Sequence, residues 1–164
     1  MSGLVALALS IGGLGGVATW LAFGPLAGFV TIWAIFIAWG SFFHSGADNA
    51  ALKNTITAGI FGAVMAGIAF ILMGAVSLGD TLTAPVWVGV TVFVLVMGSK
   101  IPAFSAIPVA VYGYAATAAY AIHVGGSTSA ADATNPVIVI ALSFIVGAVF
   151  GMVSGKLAGA LTKG

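Results

Sequence analysis

Four Lys, three Asp, no Arg and no Glu are all the charge available to 164 residues, 62% of which are hydrophobic. A soluble domain carries about a quarter charged residues because its surface must face water. An ordinary globular domain and a disordered chain are therefore both excluded. A bilayer core about 30 Å thick takes roughly 20 apolar residues as a helix. Runs of that kind can be read at 4–23, 26–43, 54–76, 85–98, 103–124 and 137–157. Barrel strands would alternate apolar and polar residues over about ten positions, whereas these runs are apolar on all sides and longer. The expected fold is all-α: a polytopic membrane protein whose 164 residues form a single six-helix transmembrane domain.

The breaks between runs carry turn chemistry. Gly24-Pro25 closes the first, and His44-Ser45-Gly46-Ala47-Asp48-Asn49 turns polar after the second, with Asp48 placed to cap the third helix. Leu78-Gly79-Asp80 closes the third. Ser99-Lys100-Ile101-Pro102 divides an apolar stretch too long for one crossing, and Pro102 cannot continue a helix without losing a backbone bond. Asn135-Pro136 opens the sixth, where proline suits a first helical turn. Met1-Ser2-Gly3-Leu4 lacks the basic region of a signal peptide, so the first run is expected to stay as a span. With six spans, Lys53, Lys100, Lys156 and Lys163 all fall on the side of the termini, and Asp80 and Asp132 on the other. The positive-inside rule then places both termini in the cytoplasm.

The two halves can be aligned. Asn54 and Asn135 each open a span after a polar loop; Trp39-Gly40 in span two matches Tyr112-Gly113-Tyr114 in span five; His44 and His123 follow. Three spans per half would make this a 3+3 inverted repeat, an arrangement that puts a pathway between halves. The alternative is that Gly-rich apolar segments always align a little. Glycine spacing is likewise open to two readings. Gly147, Gly151, Gly155 and Gly159 recur every four residues, and Gly12 and Gly16 repeat the step in span one. Such faces let helix backbones approach closely in lipid, either within one protomer or at a seam of a homo-oligomer.

Span two is the most aromatic segment. Trp33, Phe36, Gly40 and Phe43 form one stripe with Trp39 and Phe42 beside it; Ser41 joins Trp33, Phe36 and Trp39 as a path-lining candidate, and span five adds Tyr112, Thr117 and Tyr120. An aromatic constriction with a few hydroxyls suits a small neutral solute and rejects hydrated ions. The same aromatics would also serve as core packing or as an interfacial belt. Asn54 and Asn135 are the polar candidates at helix starts, placed at opposite mouths of one pathway if the repeat is real. His44 and Asp48 lie four apart and could share a proton if that stretch stayed helical, but Gly46 between them favours a turn. Lys156 reads as a topology anchor that snorkels to the surface.

Several functions are excluded. A net charge of +1 supplies no basic face for nucleic acid. No cysteine is present for disulfides or thiolate metal sites. Motifs for metalloprotease, serine hydrolase and phosphate-loop chemistry are missing, so neither catalysis nor a metal or cofactor is expected. A coupled transporter is disfavoured because no buried Asp, Glu or Lys is available to carry the ion.

Trp39-Gly40-Ser41-Phe42-Phe43-His44-Ser45-Gly46-Ala47, with Asn54 opening the next span, resembles the YcdZ-like family over nearly the whole chain. That resemblance implies a six-helix protein of the bacterial inner membrane, with no established activity and no catalytic residues to carry over. In size and helix count the chain is also similar to acid-activated urea channels and to acetate–succinate transporters, without the Asn-Pro-Ala-Pro-Leu-Gly-Leu signature of the latter. The expected function is a channel or facilitator for a small neutral or weakly ionised solute of urea, amide or polyol type. The alternative is an accessory subunit of a larger membrane complex. The expected partners are the lipid bilayer, further copies of the chain and that solute.

Overall fold

The computed structural model describes residues 1–163, with side chains through Thr162; the Lys163 side chain lies outside the described residues. Six α-helices follow one another: α1 (Gly3–Phe23), α2 (Ile32–His44), α3 (Asn49–Ala75), α4 (Thr83–Gly98), α5 (Ile107–His123) and α6 (Pro136–Lys163). A single 3-10 turn at Pro102–Phe104 separates α4 from α5, and there is no strand among the described residues. Three helices, α1, α3 and α6, are long and apolar enough to cross a membrane, and α2 and α4 are shorter apolar helices. Leu4, Trp20, Phe23, Phe93 and Ile122 are mostly exposed on the perimeter. A soluble monomer rarely shows so large an apolar surface, and together with the three long helices this points to a membrane location.

Helix limits follow local chemistry more closely than hydropathy. α2 begins at Ile32, six residues later than the apolar run that starts at Leu26. Gly28 has a φ of +84°, a turn that a side chain would strain. The Thr31 amide donates to Ser143 Oγ of α6 at 2.9 Å, which anchors the helix start to a distant element. With 13 residues α2 rises about 20 Å, less than a hydrocarbon core. α3 begins at Asn49, before its apolar run, because Asp48 Oδ1 accepts the Ala51 amide at 2.7 Å. Asn54 therefore sits inside the helix and not at its start. α5 begins at Ile107 with Pro108 in its first turn. Pro136 opens α6 as expected, and Asn135 Oδ1 accepts the Val137 amide at 2.8 Å.

Glycines set the helix pairings. α3 and α6 run antiparallel through the centre, with Phe144 seated on Gly59 and Val137 on Gly67. α3 lies parallel to α5, where Gly62 meets the Ala110 backbone and Gly113 meets that of Gly59. α6 lies parallel to α2, with Gly147 on Ile35 and Ala38 and Gly151 on Phe42. α4 packs antiparallel on α3, with Phe61 against Gly98 and Trp87 Nε1 donating to the Val76 carbonyl at 2.9 Å. α1 packs antiparallel on α6, where Ser10 Oγ donates to the Ser154 carbonyl at 2.7 Å. The third helix of each half thus packs on the first two helices of the other half. The core between them is dominated by alanine, including Ala34, Ala38, Ala58, Ala66 and Ala110, closed by Phe144, Ile140 and Leu95. Small residues are what membrane helices need, because their attraction comes from close packing and not from expelled water.

Candidate functional site

α2 and α5 come from different halves, run antiparallel and touch only sparingly, which leaves a trough of about 360 Å³ between them. Phe36, Gly40 and His44 recur every four residues on α2, with Ile37 and Ser41 as a second row, so all five share one helix face. Tyr112 and Ala115, three apart, form the α5 wall. A Cβ on Gly40 would meet nothing within 4 Å, so this glycine keeps the floor open and is not needed for packing. Ser41 Oγ donates to the Ile37 carbonyl at 2.8 Å, which leaves the hydroxyl oxygen as an acceptor. His44 also borders a second hollow of about 350 Å³, lined besides by Ser45, Asn54, Ser105, Ala106, Pro108 and Val109. An apolar trough therefore lies beside a more polar hollow, here the mouth, with His44 bordering both, at the end of the molecule that carries Lys53 and Lys100.

Of the aromatic and hydroxyl residues singled out in the sequence, Phe36, Ser41 and Tyr112 line the trough, and Asn54 lines the mouth. Trp33 and Tyr120 are partly buried against the central core, at the opposite ends of α2 and α5 from the mouth. Trp39 is 2% exposed and faces α6, where its Nε1–H donates to Ser154 Oγ at 2.9 Å. Its ring stacks on Phe36 with centroids 5.6 Å apart, so Trp39 backs the wall that Phe36 presents. Thr117 is fully buried and donates to the Gly113 carbonyl at 3.0 Å. Trp39 ties α2 to α6 and Thr117 bonds within α5; neither lines the trough.

Asn135 is consumed by structure. Its Nδ2 donates to the Thr128 and Ala130 carbonyls at 3.0 and 2.8 Å while Oδ1 caps α6. It borders a shallow hollow with Val64 and Ile68 of α3, separate from the α2–α5 trough. Nearby, Thr134 donates to Asp132 Oδ1 through its hydroxyl at 2.6 Å and its amide at 2.8 Å. Those donors hold the Asp132 carboxyl below its ordinary range, hydroxyl first and amide second, against a small opposing effect of burial. The glycine row on α6 divides. Gly147 and Gly151 are filled by α2, Gly155 has only the Phe43 ring 3.9 Å away, and Gly159 faces open space, as do Gly12 and Gly16 of α1.

His44 is the residue that borders both trough and mouth. Sequence reading weighed it only as a proton partner of Asp48; α2 ends at His44, and Asp48 caps the next helix instead. The available signal was the spacing of His44 from Gly40 and Phe36 on one helix face. No group of three His, Asp or Glu that could hold a metal occurs among the described residues.

No curated protein and no solved structure matches this chain. One family model, described as a protein of unknown function (DUF1097), matches residues 8–159, a stretch that takes in the trough, its mouth and part or all of every helix. The chain belongs to that family.

Proposed function

We propose that this protein is an oligomeric channel or facilitator for a small neutral or weakly ionised solute of urea, amide or polyol type. The trough between α2 and α5 is its path. The observation that carries this reading is the trough itself: two antiparallel helices from opposite halves flank an apolar cleft, and a more polar hollow at His44 and Asn54 adjoins it. Phe36, Ile37 and Ala115 offer nothing to replace the hydration shell of an ion. Ser41, Tyr112 and His44 offer a neutral polar solute hydrogen-bonding partners along one side.

In this reading all six helices cross the membrane, the shorter α2 and α4 with help from adjoining turns, and both termini are cytoplasmic. Exchanging α1 with α4, α2 with α5 and α3 with α6 maps the packing pattern onto itself, which supports the inverted repeat. The axis of that exchange lies in the membrane plane, through the α3–α6 contact and across the trough. Trp33 and Tyr120 stand at the far ends of α2 and α5, packed against the core beside the path. One side of the trough is open in a single protomer, and a second copy closes it. The resemblance to YcdZ-like proteins supports a place in the bacterial inner membrane.

The test is stopped-flow light scattering on proteoliposomes shrunk in turn with urea, acetamide, glycerol, ammonium and acetate. Volume recovery faster than in protein-free liposomes is expected for one neutral solute. Gly40→Leu fills the trough without a packing clash and is expected to cut that flux roughly tenfold or more, equivalent to about 1.4 kcal/mol of added barrier. Unchanged flux in a folded Gly40→Leu protein would remove this path.

The open faces at Gly12, Gly16 and Gly159 favour a second reading, an accessory subunit whose glycine seams dock against other chains. Mass measurement after mild detergent extraction separates the two. A homo-oligomer supports the channel, and co-purifying subunits of another kind support the accessory role.

A further inference from the structure

A groove of about 420 Å³ lies at the end of the molecule that carries the chain termini, and it shares no lining residue with the α2–α5 trough. Its apolar wall is Leu7 of α1, Phe43 of α2 and Met152 of α6. Its polar rim is Asp48, Asn49 and Lys156. Gly155 forms the floor, where a Cβ would meet only the Phe43 ring at 3.9 Å. Ala47, with a φ of +57°, turns the chain so that Asp48 and Asn49 come back over the groove. A volume of this size is that of a small-molecule site, and its chemistry is amphipathic: apolar on one wall, one cation and one carboxylate on the rim.

We propose that this groove binds one zwitterionic phospholipid bearing a primary amine, of the phosphatidylethanolamine type. Its phosphate lies at the Lys156 ammonium, its own ammonium at the Asp48 carboxylate, and the start of an acyl chain along Leu7, Phe43 and Met152. Charge complementarity selects this occupant. One positive and one negative side chain on the rim match a headgroup with one charge of each sign. An anionic headgroup would satisfy Lys156 but face Asp48, and a choline headgroup has no N–H to give the carboxylate. The proposal rests on the reading of α1 and α6 as membrane-spanning, with this end at the headgroup layer. It does not rest on transport.

The test is native mass spectrometry of the full chain in mild detergent, titrated with phosphatidylethanolamine, phosphatidylglycerol and phosphatidylcholine of identical acyl chains. One ethanolamine lipid per protomer is expected, bound about five- to tenfold more tightly than the other two, the size of one or two exposed charge pairs. Asp48→Asn keeps the helix cap, because Asn caps as well as Asp, and is expected to abolish the preference for ethanolamine over glycerol. Lys156→Gln is expected to weaken all three lipids, since each carries a phosphate, and Gly155→Leu to displace all three. Equal binding of the three lipids by the unaltered protein would overturn the proposal. So would a preference for phosphatidylglycerol, an unchanged ranking in Asp48→Asn, or dimerisation through this face in place of lipid. Should Gly155→Leu lose its helical circular dichroism, Asp48→Asn decides alone. Flat solute traces with intact ethanolamine binding would remove the channel and leave this site standing; flux without selective binding would do the reverse.

Discussion

At the residue scale, the charged groups of this chain do local structural work. Asp132 holds its loop through two donors from Thr134, and both favour the carboxylate. The folded-state pKa is thus lowered from the ordinary 3.8. The sign follows from proton counting: the unfolded chain binds the proton more readily, so the contribution of this turn is complete above the ordinary pKa and is lost as pH falls through the lowered one. At neutral pH the turn is fully formed. Thr134→Val removes the larger of the two donors, and carboxyl chemical shifts followed through an acid titration should show Asp132 moving up toward the ordinary value. No movement would mean that the hydroxyl bond is not made in solution.

At the element scale, glycine decides which helices touch. A methyl group on Gly62 would run into the carbonyl of Ala110, and one on Gly113 into the carbonyl of Gly59. These are backbone atoms on both sides, so neither can swing away as a flexible side chain would. Gly62→Ala is expected to cost about 1–3 kcal/mol through overpacking, read as a lower thermal midpoint in detergent. Gly12→Ala, on an open face of α1, is expected to leave the midpoint unchanged or slightly raised, since alanine is the better helix former. Equal losses at the two positions would mean that the face of α1 is filled and the α3–α5 approach is looser than drawn. The contrast also separates two uses of glycine that look identical in sequence: a Gly62 that lets backbones meet, and a Gly40 that leaves a trough open.

At the scale of the whole molecule, the six-span proposal makes a claim about sides. Lys53, in the first turns of α3, and Asp132, in the loop before α6, should face opposite compartments. The chain has no cysteine, so a single introduced thiol is an unambiguous reporter. Asp132→Cys should react with a membrane-impermeant maleimide on intact cells, and Lys53→Cys only after permeabilisation. Labelling of both from one side would end the six-span reading and, with it, the matched exchange of the two halves across the membrane.

The all-helical class, the approximate helix positions, the cap at Asp48 and the start of α6 at Asn135-Pro136 were legible in the sequence. The physical reason is that all of these are local. A chain with almost no charge must satisfy its backbone within each segment, and a cap bonds an amide two or three residues away. The trough was legible only in part. Phe36, Ser41 and Tyr112 were marked by their types and spacing, but Trp39 carried the same mark and turns instead toward Ser154 on α6. The start of α2 depends on Ser143, more than a hundred residues away. Which aromatic lines a cleft, which glycine is filled and where a short helix begins all depend on which distant backbones come close. Those choices are made by side-chain volume at crossings such as Gly62 on Ala110 and Gly151 on Phe42, and only the tertiary structure brings those partners together.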